Sequence, residues 1–138
     1  MSRIETREKA CIFIYQLTFK EPDGMTYEDR KEQYVLLNPD IEEDIEFFDN
    51  LVDGVKENKS AIDEKISGYL KDWELSRLPR MDVAILEAAF YEITNMRDEI
   101  PVSVAINEAV RLAKKYGTDD SKSYINGVLS SFEKSIKS

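Results

Sequence analysis

The sequence of 138 residues contains no histidine and a single cysteine, Cys11. The absence of histidine excludes serine–histidine and cysteine–histidine nucleophile pairs, together with every histidine-ligated metal site. One cysteine forms neither an intramolecular disulfide nor a cysteine-ligated zinc cluster, as is usual for a protein of the reducing cytosol. We therefore expect a cytoplasmic protein without a metal or another cofactor.

Long apolar runs and clustered glycines are also missing. The longest uninterrupted apolar run covers residues 10–15, whereas a helix that spans a bilayer needs about 20 apolar residues. The polar residues 1–5 do not resemble a signal peptide. The five glycines are scattered along the chain, so they form no phosphate-binding loop. We expect neither a membrane segment nor a nucleotide site.

Acidic residues outnumber basic ones by 28 to 19, which gives a formal net charge of −9. A protein with this charge repels phosphate, and so its composition argues at first against a nucleic-acid partner. The segment 21–50, however, holds eleven acids and two bases, and this segment alone accounts for the whole excess. Charges are screened over about 8 Å at physiological salt. The acidity of one segment therefore leaves a nucleic-acid site elsewhere possible.

The spacing of apolar residues is helical along most of the chain and predicts an all-α protein. We expect about six or seven helices, in a single compact domain over residues 1–138. Helices are predicted over about 3–19, over 27–37 on weak evidence, after Asn38-Pro39, after a capping box at Ser60, over about 80–96, after Pro101 and from about Ser121. The helix over 80–96 is apolar nearly all round, which places it in the centre of the core or beneath a partner.

An enzyme is the first class of function to consider. Adjacent carboxylates occur at 42–44, 98–99 and 119–120, but each group lies at a predicted helix start or in a loop, where capping explains it. Cys11 lies on the apolar side of the first helix and is expected to be a core thiol. No nucleophile is accompanied by a base. We therefore predict that the protein is not an enzyme.

Two stretches have the composition of a binding surface. Arg3 and Arg7 are four residues apart and share a face of the first helix. Residues 114–124 combine three lysines with Tyr116 and Tyr124 around a loop, in which Gly117 is expected to adopt a positive φ. Cations would contact phosphates while tyrosine rings stack on bases of a single-stranded RNA. Alternatively, both tyrosines lie at the edge of the core, and the protein is a helical protein–protein adapter that binds no RNA.

Three motifs in the C-terminal half are specific in combination: INEAV at 106–110, AKKYG at 113–117 and INGVL at 125–129. With Asp82-x-Ala84-Ile85-Leu86 upstream, they resemble the NusB family of bacterial transcription antitermination factors. The resemblance covers nearly the whole chain apart from residues 21–40. It implies two small helix bundles packed together. It also implies that the protein binds the single-stranded boxA element of ribosomal RNA leader transcripts with NusE, a small-subunit ribosomal protein. The pair would join a complex that lets RNA polymerase resist termination.

The resemblance also implies which residues make these contacts. The RNA contacts of the family fall on Arg3, Arg7, Tyr116, Asp120, Ser123 and Tyr124. The surface that faces NusE falls on Tyr15, Phe19 and Asp82.

Some of these positions carry further expectations. Asp82 would cap its helix while pairing with an arginine of the partner, and Asp120 would either accept a base amino group or cap the last helix. Relatives often begin with a run of arginines, and lysine occurs among them at the position of Ser123, so we expect weaker RNA binding by the isolated protein. The apolar partner surface would also allow a homodimer when the partner is absent.

Overall fold

The computed structural model describes residues 2–21, 24–71 and 74–137, and these stretches contain helices and no strand. The seven α-helices are α1 (Arg3–Gln16), α2 (Tyr27–Leu37), α3 (Ile45–Glu57), α4 (Lys59–Ser67), α5 (Arg80–Asn95), α6 (Val102–Tyr116) and α7 (Ser121–Lys137). Two short 3-10 helices lie at Pro39–Asp44 and Leu75–Arg77. The prediction of an all-α fold is confirmed. No helix in the described stretches is long and apolar enough to cross a membrane.

The starts of two helices differ from those predicted. After Asn38-Pro39 the chain forms a 3-10 helix. The side-chain amide of Asn38 donates to the carbonyl of Tyr34 at 2.9 Å and does not cap the helix that follows. Helix α4 begins at Lys59, so Ser60 lies inside the helix and the predicted capping box is wrong. Asn58 closes the preceding helix, because its amide donates to the carbonyl of Gly54 at 2.8 Å. Helices α3 and α4 therefore follow each other with one residue between them.

Helix α2, predicted on weak evidence, is opened by a capping box that the sequence analysis did not identify. The hydroxyl of Thr26 accepts the N–H of Asp29 at 3.0 Å, and the carboxylate of Asp29 accepts the N–H of Thr26 at 3.1 Å. Two backbone donors are thereby satisfied at the helix start. Local hydrogen bonding thus stabilises a helix whose buried residue is Tyr34.

Helix α5 is the centre of the molecule. It packs against α1 and α3, which also pack against each other, and against α6 and α7, which form a second pair. Its Phe90 ring stacks on Phe132 of α7 with centroids 4.3 Å apart. Gly54 on α3 lies so close that a Cβ there would overlap the ring of Tyr91. Of the two alternatives for this apolar helix, the structure therefore shows a core helix, shared by two helix groups.

Three carboxylates of α5 are buried, and each one bonds to a different neighbouring helix. They are Asp82, Glu87 and Glu92, with relative exposures of 0%, 1% and 1%. A spacing of five residues rotates successive side chains by about 140° around the helix axis. Asp82 accordingly bonds to α7, Glu87 to Lys59 of α4 and Glu92 to Arg7 of α1. These polar contacts fix α5 relative to three of its neighbours.

Candidate nucleic-acid interface

Arg7, a predicted RNA contact, lies inside the protein. Its side chain is 3% exposed, and its Nη2 lies 2.8 Å from Oε1 of Glu92, itself 1% exposed. A second carboxylate, that of Glu108, lies 3.5 Å from Nη1. Burial raises the pKa of Glu92, and the hydrogen bonds from Arg7 oppose that rise. Arg7 therefore joins α1 to α5 and α6, and its guanidinium is not presented to solvent.

Arg3, one turn earlier on α1, is the exposed cation of this helix start. Its side chain is 45% exposed, and its Nε donates to Asp44 at 2.8 Å. The hydrogen bond to Asp44 raises the pKa of Arg3. The guanidinium also lies over the ring of Phe47, 4.2 Å from its centroid. Arg3 is thus held in place by a carboxylate and an aromatic face while one side remains open to solvent.

The carboxylate of Glu8 on α1 is hydrogen-bonded to three polar side chains near the end of α6. It accepts hydrogen bonds from Lys115 at 2.7 Å, from Tyr116 at 2.5 Å and from Arg111 at 3.1 Å. Burial alone would raise the pKa of Glu8, but the three donors lower it to about 2. The ring of Tyr116 is 38% exposed. We call these four residues the Glu8 cluster; it holds Tyr116 at the surface in a defined orientation.

The loop between α6 and α7 is closed by contacts of Gly117 and Ser121. Gly117 has φ −91° and ψ −171°, so the prediction of a positive φ is wrong. Glycine is needed for a steric reason, because a Cβ there would lie 2.5 Å from Cβ of Ser121 and 2.7 Å from the carbonyl oxygen of Ala113. The hydroxyl of Ser121 accepts the N–H of Thr118 at 2.8 Å. The start of α7 is therefore held closely against the end of α6.

The buried side chain of Asp82 on α5 holds the start of α7 by hydrogen bonds. Its Oδ2 accepts a hydrogen bond from the hydroxyl of Ser121 at 2.7 Å and another from the hydroxyl of Tyr124. Burial raises the pKa of Asp82, while the bond from Ser121 lowers it. Its carboxylate makes no capping hydrogen bond at the start of α5, contrary to the prediction. Its Oδ1 is buried and has no hydrogen-bond partner among the described residues.

The remaining predicted RNA contacts lie at the start of α7, with Asp120 just before the helix and Ser123 and Tyr124 in its first turn. Asp120 and Ser123 are exposed, and Tyr124 is half-buried with its hydroxyl directed inward to Asp82. The backbone carbonyl of Asp120 accepts the N–H of Tyr124 at 3.3 Å, which starts the hydrogen-bond ladder of the helix. Ser121 was not predicted as a functional residue, although serine is common at helix starts. Its bond to Asp82, 39 positions away, has no local signal.

Two of the predicted partner-facing residues form an aromatic pair near the start of α5: Tyr15 in the last turn of α1 and Phe19 just after that helix. The rings of Tyr15 and Phe19 meet edge to face with centroids 5.1 Å apart, and Phe19 is 44% exposed. The guanidinium of Arg80 lies 4.6 Å from the centroid of the Phe19 ring. We call Tyr15, Phe19 and Arg80 the aromatic patch. Arg80 and the buried Asp82 belong to the same turn of α5, so the aromatic patch and the start of α7 meet there.

These surfaces contain the groups that bind nucleic acid and protein: exposed cations, tyrosine rings and an apolar patch. Within the stretches that the structure describes, no group of three or more cysteine, histidine or acidic side chains is placed to hold a metal ion. The arrangement is therefore suited to recognition.

Comparison with known proteins gives a consistent result. The family model described as "NusB family" matches residues 4–134. The transcription antitermination protein NusB of Staphylococcus aureus (strain JH9) is 42% identical over 134 residues, which cover 97% of this chain and 100% of that protein. The structure of T. maritima NusB is similar with a TM-score of 0.74 and 27% identity, covering 97% of this chain and 92% of the other.

A further solved structure shares the fold. It is the crystal structure of the antitermination factors NusB and NusE in complex with dsRNA, with a TM-score of 0.75, 22% identity, and coverage of 98% of this chain and 99% of the other. The family model, the sequence identity and the common fold agree over almost the entire chain. The chain belongs to the NusB family.

Proposed function

We propose that this protein is a transcription antitermination factor of the cytoplasm, which binds the single-stranded boxA element of ribosomal RNA leader transcripts together with NusE. The pair would join the complex that lets RNA polymerase resist termination. The observation that carries the proposal is the placement of Tyr124. Its ring reaches the surface at the start of α7 while its hydroxyl is fixed on buried Asp82. A ring held in this way is ready to stack on a base.

The RNA surface extends from the start of α1 to the start of α7. Exposed cations at Arg3, Lys114 and Lys122 contact phosphates, and the rings of Tyr116 and Tyr124 stack on bases. Membership of the family supports this assignment, since relatives carry the name antitermination protein and one solved complex contains NusB, NusE and RNA.

The other predicted contacts divide between the surface and the interior. The side chains of Asp120 and Ser123 are exposed beside the stacking ring, where they can hydrogen-bond to base edges. Arg7 contributes from inside by fixing α1 against α5.

The partner surface is the aromatic patch. Exposed aromatic rings beside an arginine are typical of the central residues of protein interfaces. Asp82 supports this surface from the interior, because it lies in the same turn of α5 as Arg80 and holds α7 in place. RNA and NusE, bound side by side on one protein, strengthen each other's attachment. In the absence of NusE, the same aromatic patch is the surface through which the free protein would form a homodimer.

Fluorescence anisotropy tests the proposal with a boxA RNA and a scrambled RNA of the same composition, each titrated with and without NusE. We expect the boxA RNA to bind more tightly, and NusE to increase the difference. Equal binding of the two RNAs in the presence of NusE would contradict sequence-specific recognition. If NusE binds but neither RNA does, the protein is an adapter without RNA binding.

Two substitutions of Tyr124 separate stacking from folding. Tyr124→Ala removes the ring, and we expect it to weaken RNA binding by about 1–3 kcal/mol. Tyr124→Phe keeps the ring and removes only the hydrogen bond to Asp82 that holds it, so its loss of RNA affinity should be clearly smaller than that of Tyr124→Ala. Circular dichroism checks both variants. Unfolding of Tyr124→Ala would show that the ring belongs to the core, and an equal loss of affinity in both variants would argue against stacking.

A further inference from the structure

A groove beside α2 combines an apolar floor with an acidic rim. It lies between α2, the 3-10 helix Pro39–Asp44 and the start of α3, and has a volume of about 390 Å³. Its apolar lining, which we call the floor, consists of Val35, Leu36 and Ile45. Leu36 is 72% exposed. We call this site the leucine groove.

The charge of the leucine groove is strongly negative. Its rim carries the carboxylates of Glu28, Glu32, Glu42 and Asp49. Among the described residues that line it, Lys31 is the one cation. Its ammonium lies 3.3 Å from Asp49 and 3.9 Å from Glu28, and so its charge is already shared. The groove lies in the segment 21–50, which carries the whole acidic excess of the chain.

The fold does not explain why leucine is exposed here. A leucine in water forgoes the burial energy of a core position, and exposed apolar side chains that lie next to one another mark interaction sites. RNA is excluded as the occupant, because its phosphates would face four carboxylates. In a twofold contact with a second copy, both acidic rims would face each other and repel. The charge therefore requires a basic occupant, and the floor requires an apolar side chain.

We propose that the leucine groove docks a basic segment of a protein partner. One apolar side chain of that segment packs between Val35, Leu36 and Ile45, and its lysines or arginines pair with Glu32 and Glu42. This contact shares no residue with the proposed RNA surface or the aromatic patch, although Arg3 of the RNA surface bonds to Asp44 of the same 3-10 helix. It gives the acidic segment a role in assembly.

A synthetic peptide serves as the probe, with leucines on one helical face and lysines on the other. The peptide is titrated into the ¹⁵N-labelled full chain, and backbone amide shifts are followed by NMR. We expect shifts at the C-terminal half of α2, the 3-10 helix and the first turn of α3, and weaker binding as salt is raised. Shifts spread over the acidic surface, or confined to another region, would overturn the proposal. The same peptide with glutamates in place of lysines should not bind.

Adjacent leucines provide a matched pair of variants. Leu37 is as exposed as Leu36, at 74%, but it lines a different groove beside Phe13 and Tyr34. Leu36→Ser should weaken peptide binding about tenfold, which corresponds to the loss of one buried apolar contact. Leu37→Ser should leave binding unchanged. An equal effect of both substitutions would overturn the proposal.

A second pair of variants tests the charge. Glu32→Gln with Glu42→Gln should weaken binding, whereas Glu57→Gln with Glu64→Gln changes the net charge equally at exposed positions outside the groove and should not. Equal weakening by both pairs would mean that the peptide responds to net charge alone. Sedimentation of the Leu36→Ser variant tests the second copy as occupant, because loss of a dimer would overturn the proposal. Its boxA affinity should be unchanged, which keeps this test independent of the RNA function.

Discussion

At the scale of single residues, the buried charges of α5 determine which arginine of α1 remains exposed. A buried carboxylate without a partner is far less stable than one paired with arginine. Glu92 therefore requires the guanidinium of Arg7, which lies 2.8 Å away. Arg7 is buried for this reason, whereas Arg3 on the same helix is exposed to solvent.

Removing one partner of this pair should have a much larger effect than removing both. Arg7→Met leaves Glu92 buried and unpaired, and we expect a loss of about 3–5 kcal/mol in the free energy of unfolding. Arg7→Met with Glu92→Met should recover most of that loss. Urea unfolding measures both variants. The double variant also tests the predicted RNA contact, since a large loss of boxA affinity in this folded protein would show that Arg7 touches RNA.

The buried carboxyl of Glu87 makes stability depend on pH. Burial and a hydrogen bond with Asp63 raise the pKa of Glu87 to about 8, against the opposing effect of Lys59. Between pH 4.5 and about 8 the folded state holds a proton that the unfolded state has released. The contribution of the protonated Glu87 side chain to the free energy of unfolding is therefore complete below pH 4.5 and is lost as the pH rises through about 8.

Glu87→Gln keeps a neutral side chain at all pH values and should flatten this dependence. We expect the free energy of unfolding of the original protein to fall between pH 5 and 8 by up to about 1.4 kcal/mol per pH unit relative to the variant. Urea unfolding across this range measures the slope, with the exposed Glu64→Gln as control. Parallel curves for Glu87→Gln and the original protein would contradict the shifted pKa.

Sequence reasoning could identify these residue types but not their partners. The pattern of apolar residues correctly placed Cys11 in the core. It could not show that Arg7 meets Glu92, because the two are 85 positions apart and both look like ordinary surface charges. Asp82 was selected through the resemblance to the family, yet its contact with Ser121 depends on how α5 and α7 pack.

At the scale of helices and loops, the close approach of α6 and α7 positions the proposed RNA surface. Gly117 permits this approach because it has no Cβ, and Ser121 and Tyr124 then reach the carboxylate of Asp82. Two glycines in this region differ in their surroundings. A Cβ at Gly117 would overlap Ser121, whereas a Cβ at Gly127 would meet nothing within 4 Å.

The two glycines should therefore respond in opposite ways to alanine. Gly117→Ala forces the start of α7 away from α6, and we expect a loss of about 1–3 kcal/mol in stability together with weaker RNA binding. Gly127→Ala, inside an exposed part of α7, should stabilise the protein by about 0.5–1 kcal/mol. Thermal unfolding measures both. A neutral Gly117→Ala would show that the loop has room to adjust.

Most helices could be predicted, because their apolar stripes are long and regular. The helices over 80–96, after Pro101 and from Ser121 lie within a few residues of their predicted positions. The starts of α3 and α4 could not be predicted in the same way. Asparagine is a common N-cap residue, but the side chains of Asn38 and Asn58 donate instead to backbone carbonyls four residues earlier in the chain. The choice of a side chain between capping the next helix and bonding to the preceding one cannot be read from the spacing of apolar residues.

At the scale of the whole molecule, charge is separated into an acidic segment and a mixed surface with exposed lysines. The net charge of −9 is concentrated in residues 21–50, which include the leucine groove. The proposed RNA surface uses α1, α6 and α7 instead. Membership of the NusB family confirms the prediction that the chain is not an enzyme.

The salt dependence of RNA binding should reflect the local cations and not the net charge. With three phosphates contacted by Arg3, Lys114 and Lys122, log K should fall with log salt at a slope of about −2. Anisotropy titrations between 50 and 300 mM salt (roughly the range in which such slopes are linear) measure it. Lys122→Gln should make the slope shallower by about 0.7, whereas Lys56→Gln, on an exposed residue near the end of α3 and outside the proposed surface, should not. A slope near zero would contradict the phosphate contacts.

The Glu8 cluster has a consequence for the entropy of recognition. Lysine, arginine and tyrosine side chains lose rotamer freedom when they bind a ligand, and for long cationic chains this loss is on the order of 2 kcal/mol each. Glu8 already restrains Arg111, Lys115 and Tyr116 in the free protein. For Tyr116, which belongs to the proposed RNA surface, part of the ordering that RNA would otherwise impose is therefore completed during folding. The carboxylate of Glu8 lowers the positive potential of the cluster, but its hydrogen bonds preorganise the surface.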